Sequence, residues 1–563
     1  MLVYGDATEA IDAAAIERAI RTLPPASASL PRRAALTRLL VEAGALGQAI
    51  LDRRFRARGA DGRSADERAV NALLLELART LIDPRQDEAG AQTRLGAALR
   101  AVQRQCAPLP KRGKLAEGFA HYALYPECYI EAAKALPPHT YVIGLRSIGL
   151  PLGALVAAAS RAAAFTSFRP TGHPFARKLE LDPPLREELA AHPGPFAIVD
   201  EGPGLSGSSF ACAADFLESC AIEADRIHFL PGHSGAPGPQ SSAEAKSRWR
   251  RTPRHHCSFE RVVLPRLSAW AADVAGEACA IEDVSSGAWR RHSGEESGAW
   301  LPIFAQQERR KFILRGDHGA FLLKFNGLGS AGARKTAMAE ALAEAGFAPR
   351  CHGERYGFLV TDWREAAPWR PNAEEAVPHL AAYLGFRARH FKADAGASLH
   401  ALAQMARHNT AQALGAESES EFDRWDSQLE RLDRTRAPIA VDSRLHRWEW
   451  LRTAGGEVLK ADAVDHHAAH DLIGCQDIAW DIAGATAEFD LADEEQDELC
   501  ARLRAADVVV SADLLRFLRP CYLAFQLGLW RLAADAALDA VDRIRAQAVS
   551  DGYAQKLRCE LER

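Results

Sequence analysis

Pro195-Phe196-Ala197-Ile198-Val199-Asp200-Glu201-Gly202-Pro203-Gly204-Leu205-Ser206-Gly207-Ser208-Ser209-Phe210 decides how the first half of this chain folds. Apolar residues end in two acids, a Gly/Ser loop follows, and an amphipathic run continues from Ala211 to Cys220. The stretch reads as strand, loop, helix. Such a loop lets backbone N–H groups and hydroxyls close on an anion at a helix N-terminus. The two acids beside it suit vicinal hydroxyls or a divalent cation. A phosphate next to a diol describes a ribose 5-phosphate.

The surroundings repeat the pattern. Thr140-Tyr141-Val142-Ile143-Gly144-Leu145 is a short buried strand, Arg146-Ser147-Ile148-Gly149 a turn, and Leu150 to Ala164 a small-residue helix. Arg226–Leu230 reads as another strand, so a parallel sheet is expected. Between them, Phe165–Leu181 carries two prolines, a glycine and four cationic or imidazole side chains, Arg169, His173, Arg177 and Lys178. It reads as an irregular cationic loop. Lys111–Lys114 is basic, and aromatic residues cluster from Phe119 to Tyr125, suiting a lid or a packed domain-entry segment.

Apolar strand, acidic pair and Gly/Ser loop together resemble the signature of type I phosphoribosyltransferases. The resemblance implies that Asp200 and Glu201 hold the ribose hydroxyls of phosphoribosyl pyrophosphate. It implies that Gly202, Gly204, Ser206, Gly207, Ser208 and Ser209 hold the 5-phosphate. Arg146, with Ser147 and Gly149, would face the pyrophosphate, and Arg169 would close over the leaving group. In such a reaction leaving-group charge must be stabilised, which cations and Mg²⁺ do. Glu201 stands where the family usually has Asp, and Gly202-Pro203 replaces a usual apolar pair.

The 563 residues exceed one core, so several domains are expected. With 48% hydrophobic and 25% charged residues and a net charge of -5, the chain has the composition of a soluble globular protein. That charge gives no sign of a nucleic-acid or membrane partner. The N-terminus lacks the features of a signal peptide, and no apolar run approaches the roughly 20 residues of a membrane span, so a cytoplasmic chain is expected. Eleven scattered cysteines without a Cys-x-x-Cys pair are read as reduced thiols.

Downstream, Lys311–Leu314 and Ala320–Phe325 read as a hairpin with Lys324 inside a strand. A helix from Ala333 to Ala345 carries Glu340, and Gly357–Trp363 gives a further strand and connector. Val441-Asp442-Ser443-Arg444-Leu445-His446-Arg447-Trp448-Glu449-Trp450, then Asp462, then Gln476-Asp477-Ile478-Ala479-Trp480-Asp481-Ile482-Ala483 complete the set. This resembles the aminoglycoside-phosphotransferase-like kinases. The resemblance implies that Lys324 touches nucleotide phosphates and pairs with Glu340, that His446 lies at the nucleotide, and that Glu449 and Asp462 hold Mg²⁺. In direct register, Arg444 falls at the catalytic Asp and Asp442 at the motif's first His. Chemistry is then either lost or rerouted through Asp442. The expected glycine-rich loop is not visible, and Gln306–Arg309 stands in its place. His466, His467 and His470, beside Asp465 and Asp471 and with His466 and His470 one helical turn apart, also invite a metal reading, with phosphate contact or burial as the competing roles.

The expected fold class is α/β plus α+β. A helical region spans 1–110, a parallel-sheet phosphoribosyltransferase-like domain 111–290, and a two-lobed kinase-like domain 291–563, with lobes at about 300–363 and 364–563. A junction is expected at 285–298. The expected function is Mg²⁺-dependent phosphoribosyl transfer between phosphoribosyl pyrophosphate and a nitrogenous acceptor, coupled to an ATP-using kinase-like domain acting on a nucleotide-like metabolite. Two alternatives stand beside it: a non-catalytic nucleotide or phosphoribosyl sensor, and a small-molecule kinase with a degenerate first domain. The expected partners are small molecules and, in principle, a second copy of the chain.

Overall fold

The computed structural model describes residues 1–563 except Asp6, 86–87, Leu205, 239–240 and 294–295. Leu205 of the acidic-pair loop, 239–240 of the Gly/Pro-rich insertion and 294–295 of the expected junction therefore lie outside the described residues.

The N-terminal helices run Ala13–Arg21, Ser29–Arg58, Ala65–Ile82 and Glu88–Gln105. Their ends follow local chemistry. Ser64 accepts from the Glu67 N–H, and Gly59 closes the long helix at φ 75°. By length and composition Ser29–Arg58 is apolar enough to cross a membrane, unlike the expectation from sequence. In this fold 72% of its apolar window is buried, as in a core helix. Gly44 and Gly47 let it pack closely, since a Cβ on either would meet Pro151 or Val70 at under 3 Å.

Four strands form a parallel sheet: β1 (Tyr141–Leu145), β2 (Ala164–Phe168), β3 (Phe196–Val199) and β4 (Ile227–Leu230), in the order β2-β1-β3-β4. β1 and β3 are buried throughout, which explains their unbroken apolar sequence. β2 is the strand missed in sequence. Beyond it, Thr171–His173 and Ala176–Lys178 pair antiparallel. The segment read as irregular is thus a hairpin, and its second proline, Pro174, sits in the turn, where no ladder N–H is required.

Five further strands make an antiparallel sheet: β5 (Ala278–Asp283), β6 (Lys311–Gly316), β7 (Gly319–Phe325), β8 (Cys351–Arg355) and β9 (Phe358–Asp362), ordered β8-β9-β7-β6-β5. β5 lies upstream of the expected junction at 285–298, yet it belongs to this sheet. Helix Ser330–Glu344 packs beside β8, and the remainder to Leu561 is mainly helical.

The two halves share a core. Tyr125, Phe259, Phe325 and Phe358 pack ring against ring across the boundary. At the β8–β9 turn, Tyr356 (φ 48°) reaches into the first half. Its hydroxyl meets Glu127 at 2.9 Å and Thr37 at 2.8 Å, all buried.

Candidate functional site

The polar centre of the second half lies between the antiparallel sheet and the helical lobe. β7 aims Lys324 at the segment after strand Val458–Lys460, where its Nζ sits 2.8 Å from Asp462 and 2.5 Å from Asp465. Burial alone would lower the lysine's pKa, but the two carboxylates outweigh it and raise the pKa. The expected pairing with Glu340 does not occur. Glu340 is exposed, while Lys335 of the same helix is buried and reaches Asp465 at 3.0 Å. Five residues of helix turn the chain about 140° away from the Lys335 face, which puts Glu340 outside. Asp465 thus bridges two lysines, and with Arg309 3.9 Å away its pKa is driven well below the ordinary range despite burial.

The loop from Val441 to Trp450 is held from below. Asp481 accepts from the backbone N–H groups of Asp442 (2.8 Å) and Ser443 (2.9 Å), fixing the turn in which Ser443 adopts φ 72°. Asp442 is 1% exposed and accepts from the Tyr383 hydroxyl. Burial would raise its pKa, but Lys460, His466 and Arg387 bring it to about 2. A carboxylate enclosed and paired in this way is not placed to take a proton from a substrate, so the rerouting expected through Asp442 is not realised. Arg444, expected from the sequence resemblance at the catalytic acid, pairs with Asp471 at 2.5 Å. His446 stacks on Trp448, with ring centroids 4.4 Å apart.

Asp442, Glu449 and His466 each offer a ligand atom within 4.8 Å of the others. Lys460 occupies that cluster. Its Nζ lies 2.5 Å from Glu449 and 3.4 Å from Asp442, with the side chain fully buried. A tethered ammonium supplies positive charge at the place a cation would bring it. Glu449, expected at Mg²⁺, is thus engaged by Lys460. Asp462, the other expected metal ligand, is engaged by Lys324. His466 and His470 diverge: His466 turns to Asp442, and His470 turns to Tyr122 and Glu117.

Above this floor opens a cavity of about 600 Å³, bordered by Lys324, Arg309, Arg444, Asp462, Trp363 and Tyr122 among others. Its size suits a nucleotide-sized ligand. Sequence reasoning missed Lys335 and Lys460. Lys335 did leave a signal, since it interrupts the otherwise apolar face of Ala331, Met338, Ala339 and Leu342.

In the first half, the ends of β1 and β3 meet where the chain order reverses, the usual place for a ligand in an open parallel sheet. Gly149 and Asp200 come together there: a Cβ on Gly149 would lie 3.5 Å from Asp200 Oδ1. Burial raises the Asp200 carboxyl to about 7 and the Glu201 carboxyl, with Asp200 and Glu117 beside it, to about 8. Glu201 is covered by the helix Glu117–His121, since a Cβ on Gly118 would stand 2.9 Å from it. The loop hydroxyls already have partners. Ser208 donates to the Pro174 carbonyl at 2.6 Å and lies 2.9 Å from the Ser206 hydroxyl, and Pro237 covers Gly207. Gly202 and Gly204 adjoin at the start of the loop, and Ser209 lies inside the helix that follows.

Arg146 does not face the crevice. It is 4% exposed and forms ion pairs with Asp52 (2.9 Å) and Asp61 (2.5 Å), tying the sheet to the N-terminal helices. Arg169 reaches the same Asp52 at 3.4 Å. Both arginines expected at a pyrophosphate are spent on structure, and Ser147 stays in the turn beside Arg146.

No family model matches this chain, and no curated protein does. Solved structures do match. A choline kinase, LicA from Streptococcus pneumoniae, aligns at 13% identity and TM-score 0.34 over 52% of this chain and 99% of that one. A macrolide 2'-phosphotransferase type I aligns at 15% and 0.32, over 51% and 95%. A thermostable mutant of aminoglycoside phosphotransferase APH(4)-Ia aligns at 11% and 0.31, over 52% and 99%.

Proposed function

We propose that the second half binds the phosphate groups of a nucleotide-like small molecule in its interlobe cavity, as a binding module whose catalytic loop has been converted to structure. One observation carries this reading: the cavity floor is a set of acids already neutralised by lysines. Lys324 lies on Asp462 and Asp465, Lys460 on Glu449, and Arg444 on Asp471. A phosphate drawing Lys324 partly from Asp462 gains a charge-assisted hydrogen bond without needing a metal. Calorimetric titration with ADP tests it. Saturable binding is expected, weakened at least tenfold by Lys324→Met. No binding, or binding indifferent to that substitution, would overturn the reading. Steady phosphoryl transfer to a hydroxylated acceptor would instead favour a small-molecule kinase.

A second reading concerns the first half, where the close approach of Gly149 and Asp200 favours a ribose phosphate at the sheet's switch point. Two carboxyls raised by burial, with Lys114 as the nearby cation, stand to gain from a sugar diol. Binding of phosphoribosyl pyrophosphate lost in Asp200→Asn would support it, and unchanged binding would dismiss it.

A further inference from the structure

Tyr122, His470 and Glu117 stand in line at the edge of the interlobe cavity, drawn from both halves of the chain. The Tyr122 hydroxyl lies 2.5 Å from His470 Nε2, and His470 Nδ1 lies 3.5 Å from Glu117 Oε1. Tyr122 and His470 both border the cavity. Tyr122 is 44% exposed, and neither of the other two is sealed in the core. Glu117 opens the short helix Glu117–His121 and Tyr122 closes it. His470 comes from the other half, where the N-terminal segment holds its backbone. Its carbonyl accepts from the Gly5 N–H at 3.0 Å, and the Leu472 N–H donates to the Val3 carbonyl at 2.8 Å.

A carboxylate beside Nδ1 favours the tautomer with its proton there, which leaves Nε2 to accept from the phenol. A hydroxyl, a base within hydrogen-bond reach and an acid that orients the base make the arrangement that activates a nucleophile for group transfer. Burial and the neighbouring Glu201 raise the Tyr122 pKa, and Arg309 opposes this without reversing it. The phenol therefore stays protonated until a base takes its proton. Lys114 lies 4.0 Å from Glu117 on the same side. The phosphate-binding floor proposed above is close at hand. Arg309 donates to the carbonyl of His121, the residue before Tyr122, at 3.2 Å. The same guanidinium lies 3.9 Å from Asp465, which pairs with Lys324. Arg309 and Asp465 thus span the gap between Tyr122 and the lysine.

We infer that Tyr122 is a modification site of this chain, the nucleophile of a Tyr122–His470–Glu117 triad that takes the terminal phosphoryl group of a nucleoside triphosphate held in the cavity. The bond from Tyr122 oxygen to phosphorus forms as the bond from that phosphorus to the bridging oxygen breaks. The nucleoside diphosphate leaves with the electron pair of the broken bond, and the phenol proton passes to His470 Nε2. Glu117 then faces an imidazolium. The buried Asp442 has no part in the step. Transfer happens once per chain, which separates it from turnover on a small acceptor. The site rests on the cavity being a phosphate site and names a second group there that reacts.

The test is incubation of the full chain with ATP in Mg²⁺ buffer, read by intact-protein and peptide mass spectrometry, beside calorimetry with ADP. One phosphoryl group per chain is expected, on Tyr122, absent in Tyr122→Phe and formed at least tenfold more slowly in His470→Phe and in Glu117→Gln. Thermal melting checks that each variant folds, and Glu117→Gln carries the test if the histidine variant does not. Phenylmethylsulfonyl fluoride probes the triad without nucleotide, with Tyr4, 45% exposed, as the internal reference. Tyr122 is expected to react at least tenfold faster than Tyr4, and to lose that lead in Glu117→Gln. Equal reactivity of the two tyrosines overturns the triad. ADP binding with no phosphoryl group on Tyr122, or with the group on another residue, overturns the modification site and leaves the cavity reading standing. Neither binding nor labelling overturns both.

Discussion

Lys460 Nζ lies 2.5 Å from Glu449 Oε2, and both belong to a buried group that includes Asp442 and His466. The lysine takes the place of a cation. Lys460→Ala is expected to open that place, so the variant binds Mn²⁺ at least tenfold more tightly than the parent chain, read by the loss of the free-ion electron paramagnetic resonance signal. Equal Mn²⁺ affinity in the two proteins would show that the ammonium does not block the cluster.

Asp465 is the common partner of Lys324 and Lys335. Removing its charge leaves two buried ammonium groups with only Asp462 nearby. Breaking a buried pair by deleting one partner costs roughly 3–5 kcal/mol. Asp465→Asn is therefore expected to lose about that much stability in urea denaturation, whereas Glu340→Gln, on the exposed face of the same helix, is expected to change it by under about 0.5 kcal/mol.

Arg146 makes the same argument in the first half. Arg146→Met removes the buried cation of Asp52 and Asp61, leaving them only Arg169, with an expected loss of about 3–5 kcal/mol. A role at pyrophosphate predicts something else: weakened anion binding at unchanged stability, distinguishable in one chemical denaturation curve.

These residues mark what the sequence did and did not disclose. β1, β3 and β4 were legible as short apolar runs, since strands of a parallel sheet are buried on both faces. The strand position of Lys324 was legible from the apolar residues around it. β2 was not, because Thr166 and Ser167 interrupt it. They are tolerated only through Glu67 and Arg146, which the fold brings from elsewhere in the chain. The partners of Arg146 lie 94 and 85 residues upstream, so nothing local separates a structural arginine from a phosphate ligand. The Lys324 partner was misjudged through helical phase, and Lys460 was passed over because a lysine ending a short strand looks ordinary until its neighbours are known.

The acidic pair gives a pH dependence. Asp200 and Glu201 hold their protons more tightly in the fold, to about 7 and about 8, than in an unfolded chain, where such groups titrate near about 4. Their contribution is fully present below about pH 4 and is lost as pH rises through 7 and 8. The double variant Asp200→Asn, Glu201→Gln is thus expected to melt above the parent by a margin about 5 °C larger at pH 8.5 than at pH 5. A gap that stays constant or narrows with pH would contradict the burial of these carboxyls.

The central claim is a phosphate-binding cleft whose acids are neutralised by lysines rather than by a metal. ADP affinity measured by calorimetry in EDTA and again in excess Mg²⁺ tests it most directly. The account predicts affinities within about threefold of each other, with Lys324→Met weakening both. Binding that appears only with Mg²⁺ would contradict it.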